Sequence, residues 1–124
     1  MENKKYTVEI VVDESNTALA VGSGSLKVFA TPMMIALMEN AAAACIADDL
    51  GEGNTSVGTA ISVSHVAATP MGMKVKATAE LVAVEGIKYD FKVTAEDERG
   101  LIGEGTHSRF AVNGEKFTNK TYQK

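Results

Sequence analysis

The sequence predicts an α+β fold, with an antiparallel sheet of about five strands wrapped around one long central helix. Three observations carry this expectation. Between Pro32 and Ala47 only Glu39 and Asn40 are polar, so a helix there is apolar on almost every side and is expected to be buried over most of its surface. From Met73 onward, two stretches alternate apolar and polar residues with a period of two and meet at Glu85-Gly86, as strands joined by a tight turn do. The dimensions also agree: roughly nineteen helical residues span about 28 Å, and five strands spaced about 4.8 Å apart make a sheet about 24 Å across.

Taken in order, Tyr6 to Val12 alternates weakly and reads as a first strand, with a turn over Asp13 to Asn16. Gly22, Ser23, Gly24 and Ser25 form a flexible stretch before Leu26 to Ala30. Thr31-Pro32 is a helix start, with threonine as N-cap and proline at the first helical position, where its missing N–H costs nothing. The helix should run to about Leu50, with Gly51 and Gly53 ending it. Thr55 to Ala68 reads as a long strand placing Val57, Ile61, Val63 and His65 on one face.

Met73, Val75, Ala77, Ala79, Leu81 and Ala83 then alternate with Lys74, Lys76, Thr78 and Glu80. Ile87, Tyr89, Phe91, Val93 and Ala95 alternate with charged residues and Thr94 in the clearest strand of the chain. Arg99-Gly100 turns the chain into a last strand, Leu101 to Val112, followed by a polar tail.

A chain of 124 residues makes one domain, 1–124, with no room for a separate cofactor domain. At 45% hydrophobic and 23% charged residues, the chain is expected to fold and not to be disordered. Net charge is −4 and the basic residues are scattered, which argues against nucleic acid as a partner. No apolar run reaches about 18 residues and no signal-type run follows the polar start, so the expectation is a cytoplasmic protein without membrane association.

The single Cys45, among alanines and Ile46, reads as a core thiol. His65 and His107 form no metal-ligand pattern, so neither a metal site nor a bound cofactor is expected; His107 reads as a strand residue without an assigned role. One sheet on one helix leaves exposed sheet edges and a modest core, which points to a homodimer or a dimer of dimers.

Glu39 is the anomaly among the candidate functional residues. A carboxylate flanked on its helix by Ile35, Ala42 and Ile46 carries a desolvation cost of several kcal/mol unless it is paired or protonated. Either it sits in a reactive cleft, or it reaches solvent at the sheet edge or an ion pair in a dimer. His65 shares a face with Ile61 and Val63, which suits a hydrogen-bonded core histidine as well as a general base. Thr31 is explained as an N-cap, although its hydroxyl also lies at the positive end of the helix dipole. Together the three supply a hydroxyl, a carboxylate and an imidazole, the ingredients of acyl transfer. Thr31 and Glu39 are separated by about two turns, roughly 12 Å along the axis, which is too far for direct contact.

The segment Val28-Phe29-Ala30-Thr31-Pro32-Met33-Met34, Glu39, Gly58, His65 and Gly103-Glu104-Gly105-Thr106-His107-Ser108-Arg109 resembles the hot-dog-fold thioesterases similar to fluoroacetyl-CoA thioesterase, from about Val8 to Val112. The resemblance implies a hot-dog fold and hydrolysis of a small acyl-coenzyme A thioester, with coenzyme A present only as part of the substrate. It implies Thr31, Glu39 and His65 as the catalytic set. Gly58 becomes an oxyanion or substrate-positioning backbone site, with Arg109 and Pro32 at the substrate. From the residues alone, Gly58 can equally be a strand bulge and Arg109 an ion-pair partner. Where the fluoroacetyl-specific member carries a phenylalanine-bearing lid, this chain has Gly22 to Ser25, which implies a more open pocket or a different acyl group. The same fold also suits an acyl-CoA hydratase or dehydratase, or a non-catalytic acyl-CoA binding module.

Overall fold

The computed structural model describes residues 3–124. In chain order the elements are β1 (Lys5–Val11), α1 (Ala18–Val21), α2 (Thr31–Ile46), β2 (Asn54–His65), β3 (Lys74–Glu85), β4 (Lys88–Asp97), β5 (Gly100–Asn113) and α3 (Gly114–Thr121). The five strands form one antiparallel sheet in the order β1-β3-β4-β5-β2. β2 therefore runs along an edge, although it immediately follows the helix in the chain.

The sheet face beneath α2 carries three alanines among larger residues such as Val75 and Val93. Ala77, Ala79 and Ala95 are fully buried, and Met34, Met38 and Ile46 of the helix fill the space above them with Phe29, Phe91 and Ile102. Pairing small strand residues with long helical ones lets the helix approach the sheet closely without voids. Gly103 marks the tightest approach: a Cβ there would stand 2.5 Å from Met34 Sδ. Cys45 is a buried free thiol, as its neighbours suggested, and burial raises its pKa.

Three expectations need correction, and a fourth gains detail. Thr31 is the first residue of α2 and not its cap; Ala30 is the N-cap and, as an alanine, has no side-chain acceptor, while the threonine hydroxyl is turned to His65. The α-helix stops at Ile46 and continues only as a 3-10 turn over Ala47–Asp49 before Gly51 and Gly53, both with positive φ. β2 ends at His65, three residues short of Ala68. The polar tail is the helix α3, capped by the Asn113 side chain accepting from Lys116 N–H.

The alternation expected along β2 is also broken. The pairing of β2 with β5 shifts register between Gly58 and Ala60, leaving Thr59 as an extra residue. Gly58 pairs with Arg109, Ile61 with His107 and His65 with Gly103, whereas Val57 pairs with Phe110. Directly paired residues share a face, so the bulge moves Val57 to the opposite side and brings Gly58 onto the face of Ile61, Val63 and His65.

Candidate active site

At the start of α2, Thr31 Oγ1 lies 2.7 Å from His65 Nδ1. Pro32 suits the first turn, and the end of β2 delivers the imidazole opposite it. Both side chains line an open cavity of about 280 Å³, bounded also by Ala18 of α1, Phe29, Ala67 and Ala68. Burial lowers the His65 pKa and the Ala67 backbone offsets part of the effect, so the ring is neutral at pH 7 and can accept the hydroxyl proton. Among the described residues, the buried His65 Nε2 has no hydrogen-bond partner. Pro32 is exposed beside this pair and does not line the cavity. The first turn offers few free donors for an oxyanion: Pro32 has no N–H, and Met33 and Met34 both donate to the Ala30 carbonyl.

Two turns along α2, a second cluster surrounds Glu39. Its side chain is 40% exposed in the protomer, so the complete desolvation suggested by its neighbours does not occur. It lies 3.7 Å from Arg109 Nη1, whose side chain is only 9% exposed. Arg109 is clamped: Nε donates to Ser56 Oγ at 2.8 Å, Nη2 to the Ser56 carbonyl at 2.9 Å, and Nη1 to His107 Nε2 at 3.2 Å. Burial lowers the Arg109 pKa and Glu39 raises it in part, and the guanidinium stays charged. A Cβ on Gly58 would come within 2.8 Å of Glu39 Oε2 and 3.2 Å of His107 Cε1, so the bare backbone at the bulge is what leaves room for this cluster.

Of the six residues singled out from sequence, the fold thus joins Thr31 with His65, and Glu39 with Gly58 and Arg109, while Pro32 stands by. It does not bring Thr31 and His65 into contact with Glu39 within one protomer. Ser56 and His107 were missed as parts of the site. His107 was legible in principle, because it stands two residues before Arg109 on one strand and therefore shares its face. Ser56 was not, because only the bulge puts it on that face.

A five-stranded antiparallel sheet packed on one long helix is the hot-dog fold. The fluoroacetyl-CoA-specific thioesterase family model matches residues 12–115, and the chain belongs to that family. The fluoroacetyl-CoA thioesterase of Streptantibioticus cattleyicolor is 48% identical over 98 residues, covering 79% of this chain and 70% of that one. A solved structure of a fluoroacetyl-CoA thioesterase superposes with a TM-score of 0.93 at 39% identity, covering 100% of this chain and 96% of that one. A thioesterase-superfamily protein of Thermus thermophilus gives 0.90 at 28% identity, covering 99% and 91%.

Proposed function

We propose that the chain hydrolyses the thioester of a small acyl-coenzyme A, with Thr31 and His65 as the nucleophile and general base. The 2.7 Å contact between Thr31 Oγ1 and His65 Nδ1, open to the cavity, is the observation that carries this assignment. The hydroxyl attacks the carbonyl carbon as His65 takes its proton, and the tetrahedral adduct collapses with His65 returning that proton to the departing coenzyme A sulfur, which leaves as the thiol. Water activated by the same imidazole then releases the acid and restores Thr31. A hydratase would act on the acyl chain and leave the thioester intact, and nothing around the cavity favours it over hydrolysis.

The site is completed by a second copy of the chain. The acidic cluster lies roughly 12 Å along the helix from Thr31, so a small acyl group at Thr31 is out of its own protomer's reach of Glu39. β2 is an edge strand of 12 residues with one side unpaired, and Pro32, Ala36 and Asn40 leave an exposed stripe on α2. Antiparallel pairing of two β2 strands about a two-fold near Ile61 and Ser62 sets Gly58 of one protomer opposite the partner's His65. The Gly58 N–H then serves the developing oxyanion that the first turn of α2 has few donors to hold, and Glu39 with Arg109 borders the same carbonyl. Gly22 to Ser25 place no bulky side chain in that stretch, which supports a more open pocket or an acyl group other than fluoroacetyl.

Free-thiol release from a panel of short acyl-coenzyme A thioesters tests this reading. His65→Ala and Glu39→Gln should each lower kcat/KM about 100-fold or more with the dimer still folded. Unaltered thiol release in either variant overturns the assignment.

A further inference from the structure

His107 is buried to 3% exposure in the middle of β5, and the chemistry just described leaves it unused. Its hydrogen bonds fix its protonation state. Nδ1 lies 2.8 Å from the Ala60 carbonyl, which can only accept, so Nδ1 carries the proton. Nε2 lies 3.2 Å from Arg109 Nη1, which can only donate, so Nε2 must be a bare lone pair. Only the neutral Nδ1–H tautomer satisfies both contacts, and an imidazolium would turn an N–H toward a guanidinium.

We propose that His107 is a positioning residue: anchored as a neutral imidazole on the β2 bulge, it accepts a hydrogen bond from Arg109 and thereby holds that guanidinium beside Glu39. The inference rests on the placement of Glu39 and Arg109 in the working site. Each nitrogen of Arg109 has its own acceptor atom. Ser56 takes Nε and Nη2, but Nη1, the nitrogen nearest Glu39, donates among the described residues to His107 alone. The anchor is itself rigid, because Ala60 belongs to the bulge that brings Gly58 into the site, and Phe91 stacks on the ring at a centroid distance of 6.0 Å. The bulge, the oxyanion backbone and the guanidinium are therefore coupled through one ring.

Two charged groups face His107: Arg109 on its own strand and Glu39 from α2. β2 contributes Gly58, Ala60 and Ile61, and β4 contributes Phe91, none of them titratable. Burial lowers the imidazole pKa and Arg109 lowers it further, while the Ala60 carbonyl and Glu39 raise it in part; the net direction is down, which keeps the ring neutral near pH 7.

Three variants separate this role from simple core packing. His107→Gln keeps an acceptor near the Nε2 position and should retain kcat within about threefold. His107→Phe keeps the ring and its stacking but loses the acceptor, and His107→Asn keeps a polar group only near Nδ1. Both should lower kcat about tenfold or more with KM changed less than twofold. Equal loss in all three variants, or rescue by asparagine and not by glutamine, overturns the proposal. If the variants fail to fold, ¹⁵N-labelled imidazole resonances of the unaltered protein decide. At pH 7 they should show His107 protonated at Nδ1 and bare at Nε2, and an Nε2–H tautomer or a cation refutes the role. Because that signal is independent of turnover, it should persist in Glu39→Gln, so loss of the catalytic reading and loss of this inference are told apart.

Discussion

The two polar clusters along α2 are built in opposite ways. Thr31 and His65 are joined by a single short hydrogen bond, open to a cavity, with an imidazole nitrogen left without a partner among the described residues. Around Glu39 the cation is almost fully enclosed and bonded through all three of its nitrogens, while the glutamate side chain itself stays 40% exposed. A reacting pair needs spare valence and access. An electrostatic frame needs its groups fixed before the reaction, so that nothing has to reorganise as charge develops. The difference suits the helix start to the proposed bond changes, and the held Arg109 guanidinium to the fixed frame proposed for the β2 edge.

Gly58→Ala gives the larger test of this contrast. The added methyl would meet Glu39 Oε2 at 2.8 Å, and that carboxylate can swing away because it is half-exposed. kcat should fall about 100-fold, as misplacement by an ångström can cause, and the thermal midpoint should drop as well, because the anchored His107 ring, met at 3.2 Å, has little room to give. A variant with full activity would mean that the frame does not need its present geometry.

A smaller effect should appear in stability against pH. Both His65 and His107 have lowered pKa values in the folded state, chiefly through burial. The unfolded chain therefore binds protons first as pH falls through about 6.5, and stability present above that value is lost progressively below it. Denaturant titrations between pH 7.5 and 5 should show this decline, and His107→Gln should flatten it. A stability that rises on acidification over that range would contradict the buried neutral rings.

Much of this was legible in the sequence because it follows from period and composition. The apolar run around Met34, Met38 and Ile46 announced a helix packed on a sheet, and Val75, Ala77 and Ala79 alternate as they must to floor it. What escaped depends on single residues placed out of period. The bulge after Gly58 reverses the face of everything before it, so Val57 was placed inward and Ser56 overlooked. Thr31 looked like a cap because local sequence cannot tell a hydroxyl that closes its own helix from one drawn 34 positions away to His65. Glu39 looked buried because its own helix is apolar, whereas its exposure is set by β2 lying at the sheet edge.

The measurement that bears most directly on the division of labour between the two clusters is complementation in mixed dimers. His65→Ala and Glu39→Gln proteins, each inactive alone, are unfolded together, refolded at equal ratio and assayed for thiol release. If each site joins Thr31 and His65 of one protomer to Glu39 of the other, half of the dimers are mixed and each carries one intact site, so about a quarter of the original activity returns. A mixture no more active than its components, with mixed dimers demonstrably formed, would show that the two clusters do not meet across an interface.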